Sequence, residues 1–334
     1  MNRWFTQTGP YAETAFASFV TLTRNLEGLP FPVRLNLQQK VALEERIAGA
    51  AAACGSFTAV RPDRLYPYEA AALAEQSVIS PEFAAAKNGA LLLRSQTEEL
   101  SLMLCDEDHV RILAAAPGLD PEGAYAPAAR CEEALDRALR FAFDPQLGYL
   151  NQDPTNIGTG LSVSALLHLP GLAKSGALPY ITSTAAKLGL TIKGAFGDGI
   201  NMRGDLFRIG NALTMGLSEE QAISNLKSLC LQLATRERAA AEQAVQTLET
   251  QDKIRRAAAL LEHAVLLNTD EAMELLSLVR MGALYLELPF KLADLNELFV
   301  TVQPASVNCA AGEKLPREQR DALRAKIVKE KLFG

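Results

Sequence analysis

Residues 89–118, GALLLRSQTEELSLMLCDEDHVRILAAAPG, hold three short apolar runs, at 90–94, 99–105 and 109–115, with polar or charged breaks between them. Short runs separated by polar turns are the pattern of an antiparallel meander; a helix would instead repeat its apolar residues every three or four positions over a longer span. The second break is chemically unusual. In CDEDHVRIL (105–113), Asp106, Glu107 and Asp108 follow one another directly, with His109 and Arg111 just beyond. On the residues alone this is either a charged hairpin turn or a carboxylate cluster at a strand end.

Outward from the meander, LEERIAGAAAACGSFTAV (43–60) reads as a helix that ends near Gly55, and AARCEEALDRALRFAFD (128–144) carries apolar residues at helical spacing. SVSALLHLPGLAKSGALPYITSTAAKLGL (162–190) reads as an apolar run, a Pro-Gly break and a helix closed by Gly189. Strands with intervening helices, without regular βαβ alternation, predict an α+β layer with an antiparallel sheet flanked by helices. From Glu237 to Leu267 the chain is rich in Ala, Leu, Glu and Gln and has no Gly or Pro, which predicts one long helix or two. Asn268 then supplies an N-cap for the helix that carries EAMELLSLVRMGALYLEL (271–288), and a last helix starts at Pro316, a residue suited to the first helical position. A boundary is expected near 235–255, giving domains 1–240 and 241–334, the second small and all-α.

The 334 residues are 49% hydrophobic, enough for a sizeable core. Lys+Arg total 33 against Asp+Glu 39, a net charge of −6, which argues against a nucleic-acid binder. No run of 18 apolar residues predicts a membrane span, and MNRWFTQTGPYAE does not read as a signal peptide. Five scattered cysteines with no C-x-x-C pair predict neither a disulfide framework nor a zinc ribbon, and no metal ligand set is read. A cytoplasmic protein without a membrane partner is expected. His168 reads as a packing histidine within an apolar run, His263 as a residue on a helix face, and Trp4 as packing onto the first domain.

Two glycine-punctuated loops remain. Gly158-Thr159-Gly160 precedes an apolar run, and such loops can bring backbone N–H groups close to an anion. IKGAFGDGINMRGDLFRIGNALTMGLSEEQAISNL (192–226) carries Lys193 and Asp198 and leads into a Ser-capped helix.

The order of NLEGLPFP (25–32), CDEDHVRI (105–112), PTNIGTGL (154–161), GDG (197–199) and LTMGLSEE (213–220) resembles the guanidino (phosphagen) kinases, and within them the bacterial protein-arginine kinases of the McsB family. The resemblance runs from TRNLEGLPFP to LRAKIVKEKL and includes the tail LNELFVTVQPASVNCAAGEKLPREQRDALRA (295–325). Phosphoryl transfer from ATP to a guanidinium needs cations around the phosphates and carboxylates that orient the guanidinium and accept its proton. The resemblance implies that Glu107 and Asp198 are those carboxylates, Asp198 one methylene shorter than the family's glutamate. The family's phosphate-clamp arginines fall on Phe19, Thr21, Arg111, Ser162 and Lys193, so one arginine is kept, one is a lysine and three are lost; Arg24 is kept but is not one of them. The family's nucleotide-contacting histidine falls on Ser77, and Asp153 adds an acid where many relatives have a cysteine. The R-D-x-x-R-A motif is intact as Arg320, Asp321, Arg324 and Ala325, which implies a phosphoarginine-binding site.

The function expected from the resemblance is a protein-arginine kinase homologue with lost or weak ATP binding, a pseudokinase that reads phosphoarginine as an adaptor or regulator in protein quality control, and a homodimer. The alternative is an active protein-arginine kinase, using Mg-ATP, in which Arg3, Arg34, Arg203 or Arg208 replaces the missing cations. A small-molecule guanidine kinase is disfavoured by the intact R-D-x-x-R-A motif.

Overall fold

A computed structural model describes residues 4–86, 89–96, 100–196 and 203–334. Its strands are β1 (Ala15–Arg24), β2 (Phe57–Val60), β3 (Leu91–Ser95), β4 (Leu100–Leu104), β5 (Val110–Pro117), β6 (Phe143–Asp144), β7 (Gly148–Tyr149), β8 (Leu161–His168), β9 (Leu190–Gly194) and β10 (Leu206–Asn211). The helices of the first part are α1 (Leu37–Ala51), α2 (Pro67–Glu75), α3 (Pro81–Ala84), α4 (Pro121–Leu139), α5 (Pro170–Lys174), α6 (Leu178–Lys187) and α7 (Glu219–Ala244). Then follow α8 (Leu248–His263), α9 (Thr269–Tyr285), α10 (Leu292–Thr301), α11 (Pro304–Ala311) and α12 (Arg317–Phe333).

Among the described residues, eight strands form one sheet in the order β2-β3-β4-β5-β1-β8-β10-β9. Every pairing in it is antiparallel. The meander read from 89–118 is β3-β4-β5, and the fold is α+β with a helical C-terminal region, as expected. In register, Phe19 faces Ala115 and Ser164, Thr21 faces Leu113 and Ser162, and Thr23 faces Arg111. Side chains alternate along a strand, so these residues share one face, and Val20, Leu22, Ile112, Ala114, Val163 and Ala165 share the other. The second face is buried under α1, α4, α6 and α7 through residues such as Leu43, Ile47, Leu135, Ile181 and Leu226. The first face is covered in two places. At one end Phe19, Leu166 and Leu206 pack with Leu276, Leu298 and Phe299 of the C-terminal helices. At the other, Leu92 and Met103 pack under Ile79 and Phe83. The middle of this face, uncovered among the described residues, is a cleft.

The helix readings gain detail. The Ser-capped helix expected at 218 continues without a break as α7, because nothing from Glu219 to Ala244 interrupts it. A turn at 245–247 then starts α8, with Thr247 as its cap, so residue 240 lies within a helix and 237–267 spans two. Pro170-Gly171 opens α5, whose free N–H groups at Gly171 and Leu172 are taken by the buried Glu237 carboxylate at 2.7 and 2.8 Å. Pro316 caps α12 from just outside its first turn.

Trp4 meets the rings of Phe5 and Phe19 edge-on and donates through Nε1 to the Gln76 carbonyl at 2.8 Å, so it packs onto the first domain. Polar contacts also tie the C-terminal helices to α2. Glu75 of α2 accepts from the backbone N–H groups of Ala305 and Ser306, the first turn of α11, at 2.9 and 2.7 Å. Among the described residues, no helix is long and apolar enough to cross a membrane.

Candidate active site

The acid motif is the connection between β4 and β5. Cys105 takes a left-handed conformation (φ 58°) and its N–H donates to the His109 carbonyl, which closes the hairpin. Asp108 turns inward and accepts from Asn25 Nδ2 at 2.7 Å and from the Gln152 N–H at 2.8 Å. His109 accepts from the Leu26 N–H at Nδ1, so its Nε2–H donates to the Pro30 carbonyl. Burial holds the His109 ring below its usual pKa, in the neutral form this pairing requires. Asp108 and His109 thus lock the hairpin onto NLEGLPFP, and the segment is both a turn and a site. Glu107 points outward to the cleft with 47% of its side chain exposed.

Arg111 lies in the cleft beside all three acids. It hydrogen-bonds Glu107, and its guanidinium is 3.6 Å from Asp106 and 3.9 Å from Asp108. Burial raises the pKa of Asp106, and the Arg111 charge opposes that rise. Three carboxylates around one guanidinium leave it little net positive charge to offer a phosphate.

The cleft holds about 550 Å³ and is lined by Phe19, Thr21, Ser77, Glu107, Arg111 and Ser162, together with Asp153, Ser164 and Arg208. Residues read from four distant sequence segments therefore converge on it. Asp153 hydrogen-bonds the Thr155 N–H, which holds its carboxyl below the usual range and keeps a negative charge at the cleft. Lys193 stands opposite Arg208 in the β9–β10 register but is exposed and does not line the cleft. Asp198 lies outside the described residues, as does Arg3.

Of the other arginines weighed as replacement cations, Arg34 is exposed in the 32–34 turn and Arg203 pairs with Asp270 at 2.7 Å. Arg208 alone of these lines the cleft, with its guanidinium carbon 4.3 Å from the Phe19 ring centroid. Arg24 belongs to the opposite, helix-covered face, where it bonds Glu132 at 2.8 Å and stacks on Tyr149.

The Gly158-Thr159-Gly160 loop is not an open anion cradle. Gly158 and Thr159 donate their N–H groups to the carbonyls of Tyr149 and Thr214. The glycines are required by close backbone approach: a Cβ would meet the Thr214 oxygen at 2.6 Å from Gly158 and the Thr23 oxygen at 2.7 Å from Gly160, both at positive φ.

In α12, Arg324 is fully buried, and it donates to the carbonyls of Val302 at 2.7 Å and Leu267 at 2.6 Å. It also bonds Asp321 at 2.5 Å, and Asp321 lies 3.7 Å from Arg317. Ala325 is buried among the C-terminal helices. Arg320 is half-buried, and its Nε has no hydrogen-bond partner among the described residues. The two arginines of the motif therefore differ in burial and anchoring: Arg324 is fully buried, anchors the helix and orients Asp321, while Arg320 is only half-buried; among the described residues Arg324 Nη2, like Arg320 Nε, has no hydrogen-bond partner.

Residues 42–240 match the family model described as ATP:guanido phosphotransferase, C-terminal catalytic domain, and residues 247–333 match that of the protein-arginine kinase McsB C-terminal domain. A protein-arginine kinase from Moorella thermoacetica is 36% identical over 344 residues, covering 100% of this chain and 98% of its own length. One from Halothermothrix orenii is 33% identical over 337 residues, covering 99% of this chain and 97% of its own. Among solved structures, a lombricine kinase superposes with TM-score 0.61 at 19% identity, covering 70% of each chain. The duplicated taurocyamine kinase of Schistosoma mansoni with bound transition state analog components gives TM-score 0.61 at 21% identity, covering 78% of this chain and 38% of that one. The last two establish likeness of fold.

Proposed function

Because the chain belongs to the protein-arginine kinase family of ATP:guanido phosphotransferases, we propose that it is a member with an impaired nucleotide site that acts by binding phosphoarginine. One observation carries the first half. Four of the five clamp positions that the resemblance implies line the cleft, and the side chains there are Phe19, Thr21 and Ser162, with Arg111 surrounded by three acids. Each lost guanidinium–phosphate contact is worth roughly 1.5–3 kcal/mol, and every 1.4 kcal/mol is about tenfold in affinity, so Mg-ATP binding falls by orders of magnitude.

The second half is supported by the intact Arg320-Asp321-x-x-Arg324-Ala325 motif. Arg320 is half-buried and its guanidinium suits a phosphoryl group, and the Asp321 carboxylate can accept from a ligand guanidinium. The reading includes an arginine-phosphorylated protein as partner, a role in protein quality control, a cytoplasmic setting and a homodimer. Calorimetry with Mg-ATP, and a phosphorylation assay on an arginine-rich protein, test it. The expected result is no binding at micromolar nucleotide and no product. Micromolar Mg-ATP affinity with phosphoarginine formed on the substrate would instead establish a working kinase.

A further inference from the structure

Arg208 is a cation in the cleft that the proposed function does not use. β10 presents it from the same sheet face as Phe19 and Ser164. Its Nη2 donates to Ser77 Oγ at 2.9 Å and its Nη1 to Ser164 Oγ at 3.4 Å. Among the described residues it has no carboxylate partner, and burial is the one cause that shifts its pKa, down to about 10, so it remains charged at neutral pH. The guanidinium is enclosed by protein, yet the residue keeps some surface on the cleft. A charge taken out of water without a counterion is costly, and such groups are normally paired.

Its surroundings are those of an anion site. Each serine hydroxyl accepts from Arg208 and keeps its own O–H proton free to donate to a ligand oxygen. Ser77 holds a left-handed backbone (φ 54°) that is uncommon for a residue other than glycine, and in it the hydroxyl meets Arg208. Glu107 and Asp153 line the same cleft. Their charges oppose an extended polyphosphate more than a compact ion that stays beside Arg208.

We propose that Arg208, with the hydroxyls of Ser77 and Ser164, binds a compact tetrahedral oxyanion: inorganic phosphate or the terminal phosphoryl group of a larger molecule. The inference rests on the reading that the arginine clamp is lost, and it assigns the cleft a ligand in place of Mg-ATP.

The test is thermal unfolding of the full chain in phosphate-free buffer, titrated with inorganic phosphate and, separately, with sulfate and with chloride at matched ionic strength. A ligand that binds the folded state raises the unfolding temperature by mass action. Phosphate and sulfate are expected to give a saturable rise and chloride none. In Arg208→Gln the dissociation constant is expected to rise about tenfold or more, the scale of one charge-assisted contact. Arg208→Lys keeps part of the response, because the charge remains without the fork. Without phosphate, Arg208→Gln is expected to unfold no earlier than the parent, since it removes a charge that no carboxylate pairs among the described residues, and this separates loss of the site from loss of the fold. Phosphoarginine and ADP are the further arms: one that saturates at lower concentration than phosphate identifies the molecule that carries the phosphoryl group. No phosphate response in the parent, or the same response in Arg208→Gln with loss in Arg320→Ala, overturns the proposal. Neither outcome bears on Mg-ATP, so the two readings fail separately.

Discussion

The guanidinium of Arg208 stacks on the ring of Phe19, its carbon 4.3 Å from the ring centroid, and Trp4 meets the same ring edge-on with centroids 5.2 Å apart. At this point of the cleft an aromatic ring stands on β1 and the cation comes from β10.

That geometry sets the outcome of rebuilding the clamp. Phe19→Arg, Thr21→Arg and Ser162→Arg together restore the three lost cations, but Phe19→Arg puts a second guanidinium where Arg208 already lies. Like charges in a partly desolvated site repel strongly. The triple variant is therefore expected to bind Mg-ATP more weakly than the same variant carrying Arg208→Gln as well, by about tenfold or more. Calorimetry on both proteins measures this. Equal affinities would mean that Arg208 moves aside without cost.

The acids of the β4–β5 hairpin are expected to separate by role. Asp108 is buried and satisfies Asn25 and the Gln152 N–H, so Asp108→Ala leaves buried donors unpaired and should cost about 2–4 kcal/mol. Glu107 is half-exposed, and solvent screens its pairing with Arg111, so Glu107→Gln should change stability by no more than about 0.5 kcal/mol. Urea unfolding of the two variants checks the contrast.

The meander was legible because its short apolar runs and polar or charged breaks are local. So was the cap at Asn268, which accepts from the Glu271 N–H as the sequence predicts. The convergence of Phe19, Ser77, Arg111 and Ser162 on one cleft was legible only through the resemblance, since it depends on strand order and register, which no local pattern encodes. The fate of the arginines was not legible. Arg203 and Arg208 are five residues apart, yet one ends in a surface ion pair and the other stacked in the cleft. Arg320 and Arg324 share α12 about 40° apart around its axis, and contact with the Val302 and Leu267 carbonyls makes Arg324 the buried one.

His168 carries a pH dependence with a definite sign. Arg280 Nη1 can only donate, so His168 Nδ1 accepts from it at 3.0 Å and the ring proton sits on Nε2, 2.9 Å from Ser277 Oγ; that hydroxyl in turn donates to Asp205 at 2.6 Å. Burial, with the Arg280 charge adding to it, pushes the His168 pKa well below its usual value. In the unfolded chain a histidine titrates near about 6.5. Below that pH the unfolded state takes up a proton that the folded state refuses. The His168 contribution to stability is thus full above about pH 6.5 and is lost as pH falls, by up to about 1.4 kcal/mol per pH unit. Nitrogen NMR is expected to show a neutral Nε2–H ring at pH 5.5, and His168→Gln should flatten the loss of stability between pH 7 and 5.5. A charged His168 ring in the folded protein at pH 5.5 would contradict this account.

The R-D-x-x-R-A helix yields the last prediction, and the structure decides which variant can test it. Arg324 is fully buried and satisfies two backbone carbonyls and Asp321, so Arg324→Ala leaves three acceptors without their donor and should cost about 3–5 kcal/mol. Loss of phosphoarginine binding in that variant would report unfolding of the C-terminal helices as readily as loss of the site. Arg320 makes no such anchoring contact through its Nε, and Arg320→Ala is expected to change stability by less than about 1 kcal/mol. If the helix reads phosphoarginine, Arg320→Ala should weaken that binding about tenfold or more while the unfolding midpoint stays near the parent's. Asp321→Asn should weaken phosphoarginine more than it weakens inorganic phosphate, because the carboxylate addresses the guanidinium and not the phosphoryl group. Titrating both ligands into the two variants, with urea midpoints measured on the same preparations, separates recognition from folding. Unchanged phosphoarginine affinity in Arg320→Ala would return the helix to a structural role.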